Sequence, residues 1–335
     1  MGALEPPSSA DVPATDRSPS TASESFGDYV GRVHGTSLAL DPWAIHDRRG
    51  YGGPMRSTGV VDSAGQLGHH DHLCWGYEHH QDFREEALVF VDEGLRLGRR
   101  ILYTGDNDLD GLRSELEGIA GLDGLITDGA IRLLPILDTY AATRSSEDQA
   151  RAYAGATSAA LDDGFTGLRT VADATVLVLD PTERDAFVRY EHRIDRLMAE
   201  GLPFSAMCGY DRLRLGDVAV GEIGCVHPLI HDAGAAFQIH AHDGGASTLR
   251  LAGDIDAWHE LAVEQAFERI LASADPRDGV VVDCAGLAFS HHRGLEAMHR
   301  AARAAQVQVS LVGAAPTVGT VVRRLHLDMI RVDPT

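Results

Sequence analysis

The stretch GHHDHLCWGYEHH, residues 68–80, places five histidines and a cysteine within thirteen positions. Imidazole nitrogen and thiolate sulfur are ligands that suit zinc. A thiol beside an imidazole is also the pair from which a nucleophilic thiolate is built. Adjacent histidines on a polar loop or at a helix start are ordinarily solvated, and this is the expectation for His69, His70, His79 and His80. His72 and Cys74 differ, because in an extended chain residues two apart project to the same face. Further metal ligands would have to come from elsewhere, and Cys208, Cys225 and His227 are available. The set His72, Cys74, Cys208 and His227 suits zinc by ligand type, although no spacing demands it. Two other readings stand beside it: the cysteines as small buried hydrophobes, and the whole group as contacts for a small-molecule ligand.

A pocket needs walls, and other residues are placed to supply them. In CGYDR, residues 208–212, an apolar run ends so that Tyr210, Asp211 and Arg212 stand at a strand's carboxyl end, where parallel sheets hold their ligands. Arg169 and Asp173 flank another β-prone stretch. Asp211 and Arg212 could equally form an ion pair closing a turn, and Trp75 and Tyr77 could line a cavity or merely cover the core. The expected ligand contacts are therefore His72, Cys74, Tyr77, Arg169, Asp173, Cys208, Tyr210, Asp211, Arg212 and His227. No catalytic residue and no cofactor is assigned. A metal-dependent or thiol enzyme using the His/Cys cluster, with zinc as its metal, is the alternative.

The elements that must position these residues follow from the hydrophobic pattern. The chain has 335 residues, 44% hydrophobic, enough for two domains. Residues 1–60 are expected to be disordered or irregular, with 1–26 a Pro/Ser/Ala-rich tail and 27–60 ambiguous. Residues 61–231 alternate helix and strand signals, which implies a largely parallel sheet covered on both faces. The firmest helix start is DPTERDAF, with Asp180 as cap, Pro181 in the first turn and Glu183 where a capping box wants it. LRTVADATVLVL reads as one long β-prone stretch. Residues 232–335 read as two paired strands, then helix, buried strand (GVVVDCAGLAF), helix, strand, helix, strand.

Composition excludes several functions. The formal charge is −21 and no lysine occurs, so neither a GK[ST] phosphate loop nor a Schiff-base amine can be built. Such a charge also disfavours a nucleic-acid partner. No apolar run of eighteen residues and no signal-like N-terminus appears, which predicts a cytoplasmic protein without a membrane partner. The four cysteines form no CxxC pair, so no disulfide framework is expected.

On HDHLCWGYE, GRRILYTGD, LRTVADAT, MCGYDR and VHP, residues 66–230 resemble the MEDS sensory domain, found in methanogens, methylotrophs and a dichloromethane-responsive repressor. The resemblance implies a relative of the RecA and circadian-clock ATPase fold that lacks the Walker A loop and senses a small molecule. On LRLAGDID and GVVVDCAGLAFSHHRGLEAM, residues 237–333 resemble the smaller α/β STAS domain of anti-sigma-factor antagonists. That implies an anti-sigma factor or kinase-like regulatory partner, met at Asp254, Ser290, His291, His292, Arg293 and Gly294. Where regulated antagonists carry a phosphorylated serine, this chain has His291, His292 and Arg293, so the phosphate switch is expected to be missing. Self-association as a homodimer is left open by the sequence.

Overall fold

The computed structural model describes residues 56–141, 145–232, 234–242 and 248–333. The expected tail over residues 1–26, and residues 27–55, lie outside these. Residues 56–60, expected to be irregular, instead contribute Arg56 to the interior and a short strand, β1 (Gly59–Val60).

The first unit contains β1, β2 (His72–Tyr77), β3 (Arg100–Gly105), β4 (Ile131–Pro135), β5 (Leu168–Asp173), β6 (Phe204–Asp211) and β7 (Leu229–His231). All pair in parallel, in the spatial order β1-β7-β2-β6-β5-β3-β4. Parallel neighbours cannot be joined by tight turns, so helices occupy the crossovers. After β2 comes α1 (His80–Arg96); after β3, α2 (Leu109–Glu115) and α3 (Leu122–Thr127); after β4, α4 (Ile136–Ala141) and α5 (Ser146–Asp162). After β5 comes α6 (Pro181–Ala199); after β6, α7 (Arg212–Leu215) and α8 (Asp217–Gly224). The Asp180 carboxylate accepts hydrogen bonds from the Thr182 and Glu183 amides, so α6 begins where the sequence indicated.

Strand alternation sorts the two faces. Leu73, Trp75 and Tyr77 pack with Phe83, Phe90 and Val91 of α1, whereas Cys74 joins the core beneath α5, α6 and α8. Both faces are covered, which is why all six residues of β2 are buried. Only Glu78 and His79 separate β2 from α1, leaving no room for a phosphate loop of about eight residues. The stretch beginning at Leu168 is shorter as a strand than its composition suggests. It stops at Asp173, whose Oδ1 accepts from the Thr175 amide and hydroxyl, and a 3₁₀ turn, Thr175–Leu177, follows.

The second unit comprises β8 (Phe237–Ala241), β9 (Thr248–Ile255), α9 (Glu260–Leu271), β10 (Val280–Ser290), α10 (His292–Ala305), β11 (Val309–Val312), α11 (Pro316–Arg324) and β12 (Ile330–Val332). Its sheet runs β12-β11-β10-β9-β8, parallel except for the β8/β9 pair. β10, expected to be wholly buried, is covered on one face only. Val280, Val282 and Cys284 are buried while Val281 and Ala285 are exposed, and the open face carries the Arg250–Asp283 ion pair instead of a second layer of helices.

The units meet along β8. The Ile239 amide donates to Cys225 O (2.6 Å), and Gln238 Nε2 donates to His227 O and Pro228 O, each at 2.9 Å. Arg269 of α9 reaches back to Asp185 of α6 (2.7 Å). One continuous apolar core includes Phe187 and Ile194 of the first unit with Ile239 and Phe267 of the second.

Candidate functional site

Where β2 and β6 lie side by side, His72 is in register with Ala206 and Cys74 with Cys208. The even-numbered residues of both strands face α6. β7 joins on the other side of β2, and the turn before it delivers His227, whose Nδ1 is 3.0 Å from Ile223 O. That bond fixes the ring and leaves Nε2 buried without a hydrogen-bond partner. From α6, Glu191 completes the group. His72 Nε2 lies 3.0 Å from Glu191 Oε2 and 3.7 Å from Cys208 Sγ, and His227 Nε2 lies 3.8 Å from Glu191 Oε2. Donor atoms of all four side chains fall within 4.8 Å of one another. All four residues are buried.

A second layer holds this group. Tyr210 Oη donates to Glu191 Oε1 (3.1 Å). Asp195, one turn beyond Glu191, places Oδ1 3.5 Å from His72 Nδ1 and, itself buried, forms an ion pair with the part-buried Arg56. Its Oδ2 accepts from the Ala241 amide of β8 at 2.8 Å.

The charges are set by this packing. Burial alone would lower the His72 pKa, but Asp195 and Glu191 outweigh it and raise it. Burial works to raise Glu191, yet the neighbouring His72, His227 and the Tyr210 hydroxyl hold it below the ordinary carboxylate range. Asp195 is driven far down against the same burial, chiefly by Arg56. His227 falls to about 4 through burial and the nearby His72 charge. Burial pushes the thiols of Cys74 and Cys208 well up, with Glu191 adding to it, which is opposite to what a thiolate nucleophile needs.

The adjoining cavity is lined by His72, Tyr153, Phe187, Glu191, Phe204 and Cys208 among others, with about 10 Å³ open to the centre of a water molecule. That is room for about one water or ion, against the several hundred Å³ of a typical organic-ligand pocket, about 300–1,000 Å³.

The residues expected to contact a ligand fall into separate places. His72, Cys208, Tyr210 and His227 come together, and Cys74 lines the same sheet face without entering the four-membered group. Tyr77 is on the other face, where its hydroxyl donates to Asp173 Oδ2 (2.8 Å). Arg169 lies beneath α1, stacked on Phe90 and donating to Leu67 O and Phe90 O. Asp211 caps α7, and Arg212 pairs with Asp217 and Asp232 at the surface. The zinc alternative placed Cys74 where the structure places Glu191. His69, His79 and His80 are exposed and His70 is half-buried.

Glu191, Asp195 and Arg56 were not singled out by sequence. The first two had a signal, since they fall on the inward stripe of α6 with Phe187, Ile194 and Met198. A carboxylate on such a stripe is buried and must be paired.

In the second unit His291 caps α10, its Nδ1 accepting from the Arg293 amide (3.4 Å), and its ring lies 4.1 Å from that of His292. Arg293 reaches toward Glu260 (3.9 Å). A Cβ on Gly294 would come within 2.4 Å of Ile255 Cγ2, so glycine is required by close packing. Ser290 Oγ donates to the neighbouring His291 O. Asp254 is exposed on β9.

Residues 71–228 match the family model MEDS, described as the methanogen/methylotroph, DcmR sensory domain. Residues 240–332 match STAS_2, described as Mlab, STAS domain. No curated protein matches the chain. No helix among the described residues is long and apolar enough to cross a membrane.

Proposed function

We propose that this chain, a MEDS domain followed by a STAS domain, is a sensor joined to its own relay. Occupancy of the buried group at His72, Glu191, Cys208 and His227 sets how α6 holds β8. The STAS sheet then presents its state to a regulatory protein of anti-sigma-factor or kinase-like kind. The observation that carries this reading is a single helical turn. Glu191 belongs to the site, and Asp195, four residues on, accepts from the Ala241 amide at the edge of the STAS sheet. A species that favours one arrangement of this turn shifts the population of domain arrangements by its differential affinity.

Two further features support the reading. Around the N-terminus of α10, Trp258, Leu261 and Phe289 are exposed at 89%, 65% and 53%, an apolar lip suited to a protein partner. His291 occupies the cap, so control enters through the sensory half and not through a phosphate at that helix. The small cavity limits the sensed species, in the arrangement described, to something the size of one ion or water unless the core opens.

Glu191→Gln in the full chain tests the relay. Hydrogen exchange at the Ile239 and Ala241 amides is expected to speed up relative to the amides of β11. If exchange along β8 is unchanged, the relay reading fails.

A further inference from the structure

We infer that His72, Glu191, Cys208 and His227 form a closed site for one divalent transition-metal ion of the zinc class, an inference that deepens the sensing reading by naming the occupant of its site. Two imidazole nitrogens, one sulfur and one carboxylate oxygen are the donors a tetrahedral zinc site uses. Bonds of about 2.0–2.3 Å place tetrahedral ligands roughly 3.3–3.8 Å apart; three of the donor pairs stand at 3.0, 3.7 and 3.8 Å, and all four donors lie within 4.8 Å of one another. Only small side-chain shifts separate this arrangement from a coordination shell.

The surroundings have the form that metal sites need. A ligating histidine is ordinarily oriented through its other ring nitrogen by a carbonyl or carboxylate. His227 has Ile223 O in that place, and the carboxylate facing the other nitrogen of His72 is Asp195, at an ion-pair distance of 3.5 Å without hydrogen-bond geometry. The carboxylate ligand has the Tyr210 hydroxyl on its second oxygen. His227 Nε2 is buried without a hydrogen-bond partner, a costly condition that an ion bound to it relieves.

Charge points the same way. One thiolate and one carboxylate neutralise a dication, and the neighbouring Asp195 is already matched by Arg56, so the filled site is neutral as a whole. Binding releases the Cys208 thiol proton, and any proton held between His72 and Glu191, to solvent. Four protein donors leave no open position for substrate, which fits a structural or sensing ion more than a catalytic one. Cys74 is left outside the shell.

The test uses the full chain stripped with a chelator and titrated with Zn²⁺ or Co²⁺ alone. One ion per chain is expected, and the Co²⁺ form should show a sulfur-to-cobalt charge-transfer band with the intense visible bands of a four-coordinate ion. Cys208→Ser should abolish the charge-transfer band, and Cys74→Ser should keep it. His227→Ala removes a direct donor and should weaken Zn²⁺ by more than the roughly 10–100-fold that loss of an outer-shell partner costs, with circular dichroism confirming that each variant is folded. A stripped wild-type chain that takes up neither ion, or a cobalt spectrum without the sulfur band, overturns the proposal independently of any variant. Exchange at β8, measured with and without Zn²⁺, separates the two readings. Metal bound with no change at Ala241 leaves the site standing and removes the relay, whereas no metal with a Glu191→Gln effect at Ala241 does the reverse.

Discussion

The Arg56–Asp195 pair gives a quantitative test of how the interior is held. Asp195 is fully buried and the Arg56 side chain is 6% exposed. Asp195→Asn keeps an acceptor for the Ala241 amide but leaves a guanidinium without its anion, a change that ordinarily costs about 3–5 kcal/mol. Arg56 retains His70 O as an acceptor at 2.9 Å, which places the expectation near the lower end, about 3 kcal/mol. Arg56→Met leaves Asp195 with only Ala241 and His72, and should also destabilise. Removing both charges leaves neither ion stranded, so the double variant should lose no more than the worse single. Urea unfolding followed through Trp75, buried and stacked on His231 at 3.6 Å, reports on the first unit. Losses that add to within about 0.5 kcal/mol would show the two residues to be uncoupled and refute the reasoning.

Other substitutions follow from close contacts. Gly209→Ala sets a Cβ 2.5 Å from the Phe83 ring and should cost about 1–3 kcal/mol, read by the same unfolding curve. Gly294→Ala meets Ile255 at 2.4 Å and should lower the stability of the second unit by a similar amount, about 1–3 kcal/mol, detected as faster exchange in the first turn of α10. Tyr210→Phe removes the hydroxyl donated to Glu191 and should cost about 1.5–3 kcal/mol by thermal unfolding, as for a hydrogen bond to a charged group. A loss under about 0.5 kcal/mol would show that the Tyr210 bond contributes nothing.

Local chemistry made much of the fold legible. The helix cap at Asp180, the alternation of the apolar strands and the missing phosphate loop all follow from residues within a few positions of one another. Alternation also sorts the candidate site residues between the two faces of the sheet. His72 and Cys74 share one parity, so Tyr77, five residues beyond His72, belongs on the opposite face, where it meets Asp173. Arg169 is similar. Placing it at a strand end suggested a ligand contact, but its position in β5 turns it toward α1, where backbone carbonyls satisfy it. Strand order was not legible in this way. β7 lies beside β2 through a pairing more than 150 residues apart in sequence, and that pairing alone brings His227 to His72.

The carboxylates on α6 show what the pattern held and what it could not. On a helix whose inward positions are Phe187, Ile194 and Met198, Glu191 and Asp195 interrupt the stripe four residues apart, on one side of the cylinder. Burying one such charge is expensive, and burying two without partners would outweigh the packing of the whole helix. The pattern therefore demands two cationic or donor-rich neighbours, and the histidines of residues 68–80 and the turn at His227 are the candidates nearest in kind. It does not say that Arg56, from a stretch with no periodic signal, would neutralise the second. Nor does it say that the second carboxylate would also take an amide from the following domain. That last contact is the one on which the proposed relay rests, because it joins the buried charges of the first unit to the backbone of β8.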